Sequence, residues 1–296
     1  MIYDRIAANK RNSIILLVVF FLFNIFLGWV LGEIFGWGYF GIFLAFIISL
    51  ILIFSAYYKS DSLVLSISKA VPVKENEFPH LFNSVEGLAI AAGIPKPKLY
   101  LIDDTAINAF ATGRDPQHAV IVVTKGAVQR LNRMELEGVI AHEMSHIKNF
   151  DIRFMMLVTV LVGTAALLSN IILRSFLWGG SSGNRKSGGI QVAFIVLGLI
   201  LAILTPIIAQ LIQFAISRKR EFLADADGAL LTRYPKGLAD ALRKISSDSE
   251  PLEVANEATE NLYISNPFKK KHKSWFKGMF NTHPPIEERI AALDKM

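Results

Sequence analysis

Four long apolar runs punctuate the chain, at residues 13–35, 39–57, 154–172 and 192–216. A helix needs about 20 apolar residues to cross a hydrocarbon core, so each run predicts a membrane span. Asn24 is the only strongly polar residue inside the first run, and Glu33 sits near its end. The second run closes on Tyr57-Tyr58-Lys59, the aromatic and cationic pattern of a membrane interface. Pro206 and Gln210 interrupt the fourth run; such positions are tolerated where they face protein or a cavity. Arg5, Lys10 and Arg11 precede the first run as they would in a signal peptide. The run is too long for one, lacks a small-residue cleavage site and is followed at once by a second span, so a retained anchor is expected.

Between the second and third runs the pattern changes. Residues 75–150 are amphipathic, with helical spacing over 80–92. Short apolar segments at 99–102, 107–113 and 119–124 predict strands, and Arg114-Asp115-Pro116-Gln117 predicts a turn between the last two. A helix is expected from Met134 through His146 and on towards the third span. Residues 179–189 form a Gly/Ser-rich loop. No internal repeat is present. The expected fold is a mainly α membrane protein, with four transmembrane helices and an α+β domain carrying a small β-sheet. Its expected parts are a first membrane hairpin at 1–58, half of the soluble domain at 59–153, a second hairpin at 154–216 and the other half at 217–296.

Composition strengthens this picture. Of the 296 residues 52% are hydrophobic and 19% charged, where soluble domains carry about 25% charged residues. The mean hydropathy is +0.42, and 21 phenylalanines suit lipid-facing or core helices. The formal net charge is +6. Its cations crowd beside the apolar runs, which points to a membrane surface and not to nucleic acid. With the N-terminus in the cytoplasm, Arg5, Lys10, Arg11, Lys59, Lys69, Lys148, Arg153, Arg218, Lys219 and Arg220 lie inside, against Arg174, Arg185 and Lys186 outside. This bias places 59–153 and everything after 218 on the cytoplasmic face.

There is no cysteine, so no disulfide forms and no thiolate binds metal or attacks a substrate. Any metal site must be built from carboxylates and the six histidines, His80, His118, His142, His146, His272 and His283. Two of these stand in His142-Glu143-Met144-Ser145-His146. Residues four apart on an α-helix share one face, about 40° apart in projection. Both imidazoles can therefore reach one ion, while Glu143 sits beside it, placed to take a proton from water. Zinc is the default ion, held by three protein ligands with a fourth position open.

A third ligand is needed. Glu221 and Asp225 are four apart where the fourth run ends, hence also on one helix face. Glu221 could ligate while Asp225 holds a ligand histidine by its second nitrogen. Both could equally be solvated acids pairing with Arg218, Lys219 or Arg220. Spacing leaves the two readings open.

The chain resembles the M48 family of integral-membrane metallopeptidases, and within it the bacterial HtpX branch. The matching segments are 108–113, 142–151, Ser217-Arg218 with 221–225, and Thr282-His283-Pro284-Pro285 followed by Arg289-Ile290. They occur in the family's order, and the four-span layout agrees. The resemblance implies a zincin-like, gluzincin-type catalytic domain holding one zinc ion per subunit. It implies Glu221 as third ligand and Asp225 as the partner of a ligand histidine. It further implies a multi-pass protein of the bacterial inner membrane that cleaves misfolded or membrane proteins at the cytoplasmic face, as membrane quality control under stress.

Other residues carry weaker expectations. Asn108, Ala109, Phe110 and Ala111 could form a sheet edge to which an extended substrate adds as a strand, or could be a plain structural strand. His283 could stabilise the oxyanion, or Thr282-His283-Pro284-Pro285 could simply open a helix. Arg289 could serve the oxyanion or anchor the C-terminal helix. Asp151, nine residues after His142, projects to the opposite helix face, so capping or pairing with Arg153 is expected. His80 and His118 read as surface histidines. Residues 268–277 mix lysines with aromatics and suit either anionic headgroups or a solvated loop. Two other functions fit the motif: a narrow protease of prenylated CAAX-type peptides, and a non-catalytic membrane scaffold with a structural zinc.

Overall fold

The computed structural model describes residues 2–159, 218–255, 259–268 and 284–296. Most of the third expected span, all of the fourth, the 179–189 loop, His272 and His283 lie outside the described residues.

Helix α1 (Ile2–Phe35) and helix α2 (Tyr39–Tyr58) form an antiparallel hairpin. Ile6–Trp29 and Tyr39–Tyr58 are long and apolar enough to cross a membrane. Side chains such as Leu22, Phe43 and Phe54 project outward, as lipid-facing residues do. The helices meet through small residues: a Cβ on Gly41 would lie 2.5 Å from Gly28 O, and one on Gly28 would overlap Ala45. Close backbone approach of this kind is how membrane helices associate. Helix α1 starts about three turns before the apolar run. Nothing from 2 to 12 is Gly or Pro, and Asp4 complements the helix dipole in the first turn. The cationic prelude is thus a helical extension that carries Asn9 into the soluble domain.

After helix α3 (Ser60–Ile67) come strand β1 (Val71–Pro72), helix α4 (Pro79–Ala92), and strands β2 (Lys98–Ile102), β3 (Ala109–Thr112) and β4 (Val120–Thr124). The expected strands are all present, with β3 shorter than 107–113. The sheet order is β1-β2-β4-β3, with β2 parallel to β4 and the other pairs antiparallel. All five β4 residues are buried, because both sheet faces are covered. Ile121 and Val123 pack with α4 and the helices below, while Val120 and Val122 pack with Val64, Met155 and Tyr263.

Helix α5 (Lys125–Arg130) leads to helix α6 (Arg133–Lys148), which carries the His-Glu-x-x-His motif. Asn132 opens α6 with a reciprocal cap: its side chain accepts from Glu135 N at 3.0 Å, and Glu135 accepts from Asn132 N at 2.7 Å. Helix α6 does not run straight into the third span. Phe150 takes φ 60°, a left-handed conformation that ends the helix, and helix α7 begins at residue 151 and is described to 159. Helix α8 (Arg218–Thr232) lies across α6, with helix α9 (Pro235–Ser247) and helix α10 (Ile286–Leu293) completing the core. Gly228 makes the α6–α8 approach possible, since a Cβ there would lie 3.0 Å from His142 N.

Candidate metal centre

His142 and His146 point from the buried face of α6 towards Glu221 in the first turn of α8. The two Nε2 atoms stand 3.2 Å apart. Glu221 Oε1 lies 3.6 Å from His146 Nε2, and Oε2 lies 3.7 Å from His142 Nε2. Donors at about 2.0–2.1 Å from one tetrahedral ion stand about 3.3 Å apart. These three groups therefore form a possible metal site, with two nitrogens and one carboxylate facing a common point. All three are buried, and a cation bound there would offset the carboxylate charge and occupy the imidazole lone pairs that meet at that point.

Each imidazole is oriented by a carboxylate at its other nitrogen. Asp225 Oδ1 lies 2.9 Å from His142 Nδ1, and Asp151 Oδ2 lies 3.1 Å from His146 Nδ1. A carboxylate on Nδ1 fixes the tautomer that leaves Nε2 free for a metal. Burial alone would raise the Asp225 pKa, but the Arg289 charge and hydrogen bonds, helped by His142, hold it at about 2. Asp225 is therefore a permanent anion. Arg289, fully buried, also donates to Ile264 O at 3.0 Å and stands 3.6 Å from Glu221. These bonds make it the anchor of α10 on the site.

Asp151 corrects the sequence reading. It neither pairs with Arg153, which donates to Arg114 O at 2.6 Å, nor faces away from the motif. The projection to the opposite face assumed an unbroken helix, and the turn at Phe150 swings Asp151 back under His146. Asn149, a residue that often ends helices, was the available signal. Arg220 Nε lies 2.9 Å from Asp151 Oδ1, so Arg220 pairs with Asp151.

Glu143 is buried beside the ligands, with the Ala111 backbone N–H facing its carboxylate. Burial pushes its pKa up to about 7; the His146 charge opposes the rise and the Glu221 charge adds to it. Near neutral pH this group can both take and give a proton. His146 behaves differently in the metal-free chain. Burial would lower its pKa, but the Asp151 hydrogen bond and the charges of Glu221, Asp151 and Glu143 raise it to about 9. His142, facing Arg289 as well as Asp225, is lowered, chiefly by burial.

Strand β3 lies at the edge of the described sheet and covers Ala109–Thr112, so Asn108 falls just before it. That edge is not open along its whole length. Ile264 N donates to Ala109 O at 2.9 Å, Phe110 bridges Tyr263, and Asn108 Nδ2 donates to Ser265 O at 3.2 Å. Residues 263–265 thus cover the edge from Asn108 to Phe110. His80 and His118 are exposed as expected, His118 pairing with Asp115 at 2.7 Å.

The model of Peptidase family M48 matches residues 75–296. The chain belongs to this family. Among its relatives, a protease HtpX homolog of Dictyoglomus turgidum is 46% identical over 294 residues, covering 99% of this chain and 94% of that protein. A protease HtpX homolog of Listeria monocytogenes serotype 4a is 43% identical over 307 residues, covering both chains in full. The fold is similar to that of Ste24p from S. mikatae, with TM-score 0.52 and 21% identity over 92% of this chain. The chain spans 62% of that larger protein's length. This M48 member is a membrane metalloprotease whose possible metal site is His142, His146 and Glu221.

Proposed function

We propose that this chain is a zinc-dependent endopeptidase that hydrolyses peptide bonds of misfolded or membrane proteins at the cytoplasmic face of the cell membrane, with His142, His146 and Glu221 as the zinc ligands. The observation that carries the reading is the convergence of those three donors, 3.2–3.7 Å apart, beside the buried Glu143. A set of two imidazoles and a carboxylate matches hydrolytic zinc sites, which keep one position open. Bound there, zinc would lower the pKa of water and polarise the scissile carbonyl.

The chain's own residues do the rest. Glu143 takes the proton of the attacking water and passes it to the leaving amine, a task suited to a pKa of about 7. Asp225 and Asp151 hold the imidazoles in the ligating tautomer. An extended substrate pairs with the β3 edge at its Ala111 end, beyond the stretch that residues 263–265 cover. The N–H and C=O of one strand residue face the same edge, and Ala111 N–H faces Glu143. Main-chain pairing makes few demands on side chains, which suits unfolded substrates. The α1–α2 hairpin holds the site at the membrane, with two further spans proposed at 154–172 and 192–216. His283 is proposed as an oxyanion donor.

The test is cleavage of unfolded casein and of a prenylated CAAX-type peptide by the full chain in detergent. Casein cleavage that stops with a chelator, returns with zinc and is absent in Glu143→Gln is expected. Cleavage of the prenylated peptide alone would favour a narrow specificity. Casein cleavage by Glu143→Gln would remove the mechanism.

A further inference from the structure

The outer support of His146 does not end at Asp151. Asn9, on the cytoplasmic extension of α1, is buried against the break between α6 and α7. Its Nδ2 donates to Asp151 Oδ1 at 2.7 Å and to Asn149 O at 2.8 Å. Its Oδ1 accepts from Arg220 Nη2 at 3.4 Å, and Arg220 in turn pairs with Asp151. One amide thus joins both sides of the left-handed turn at Phe150 to the first turn of α8. The next residue adds to the hold: Lys10 Nζ lies 4.2 Å from the centre of the Phe150 ring. Asp151 then places its second oxygen on His146 Nδ1.

We propose that Asn9 is a positioning residue of the metal centre, through which the membrane hairpin sets the orientation of His146. The inference rests on the reading of His142, His146 and Glu221 as metal ligands. Three features support it. An asparagine amide has two donor hydrogens, and here they go to a carboxylate and to a carbonyl two residues apart in sequence. An alanine would take the amide donor away from the Asn149 carbonyl and leave Arg220 as the one remaining hold on Asp151 Oδ1 among the described residues, loosening the carboxylate that orients His146. The turn it holds is a non-glycine residue at positive φ, a conformation that persists only where its surroundings enforce it. The first span is on this account part of the catalytic architecture as well as an anchor.

The experiment is zinc affinity by chelator competition on the full chain in detergent, for wild type, Asn9→Ala, Asp151→Ala and the double variant, with kcat and KM for casein alongside. Outer partners of metal-bound histidines typically contribute 10–100-fold in metal affinity. Asn9→Ala is expected to weaken zinc binding about tenfold, lowering kcat with little change in KM. In the Asp151→Ala background the same substitution is expected to change zinc affinity by less than about twofold, because coupled residues are non-additive. If Asn9→Ala fails to accumulate, Asn9→Ser is read by the same criterion, since a hydroxyl is too short to bridge both partners. Zinc affinity unchanged from wild type, or an equal loss in the Asp151→Ala background, overturns the inference while leaving the ligand assignment standing. A wild type that binds no zinc overturns the ligand assignment and this inference with it.

Discussion

Arg289 closes a planar fork on Asp225, its Nε and Nη2 standing 2.8 and 2.6 Å from the two carboxylate oxygens. The carboxylate that receives the fork also holds His142 Nδ1 at 2.9 Å. The C-terminal helix is thereby tied to the metal site through one fully buried ion pair. Breaking such a pair by removing one partner typically costs about 3–5 kcal/mol. Arg289→Ala is expected to lower the thermal midpoint by several degrees and to weaken zinc binding. Arg289→Lys should recover little, because an ammonium cannot reproduce two parallel bonds. Thermal unfolding with and without zinc checks both; a lysine variant equal to wild type would contradict the geometry.

The pH dependence of metal uptake follows from His146. Its pKa of about 9 in the metal-free chain lies above neutrality, and a ligand histidine must be neutral. Below pH 9 zinc has to displace a proton. Affinity is therefore expected to rise about tenfold per pH unit from 7 towards 9 and to level off above, since one proton is released. Competition with a chelator of known pH behaviour measures this. A flat profile between 7 and 8.5 would contradict the raised pKa.

Close packing between α6 and α8 carries the third ligand. A Cβ on Gly228 would crowd His142 N at 3.0 Å and His142 Cα at 3.2 Å. Gly228→Val is expected to push α8 away from α6, at a cost of about 1–3 kcal/mol for overpacking, and to reduce zinc occupancy. Zinc content and casein cleavage of the purified variant check it. Full occupancy with wild-type activity would show that Glu221 does not depend on that approach.

The readings that succeeded were local ones. The spacing of His142 and His146 places both rings on one face whatever the tertiary fold, and the three strands show as short apolar runs bounded by turn residues. Glu221 was ambiguous by spacing, because nothing local distinguishes a ligand from a solvated acid beside Arg218, Lys219 and Arg220; only the resemblance separated them. Asp151 was misread because a helical projection does not survive the left-handed Phe150. Asn9 was invisible because its partner Asp151 lies 142 positions away, and a lone asparagine before an apolar run carries no signature. The cover of the β3 edge by 263–265 was missed for the same reason: strand pairing is non-local, and residues 263–265 carry no strand pattern of their own.

The central claim is that His142, His146 and Glu221 share one zinc ion while Glu143 stands beside it. Its most direct measurement is the zinc content, by mass spectrometry, of wild type, Glu143→Gln and Glu221→Ala purified identically and dialysed against a weak chelator. Wild type and Glu143→Gln are expected to retain about one equivalent each, and Glu221→Ala to lose it, as removal of one of three protein ligands requires. Zinc retained at one equivalent by Glu221→Ala, or lost by Glu143→Gln, would contradict the account.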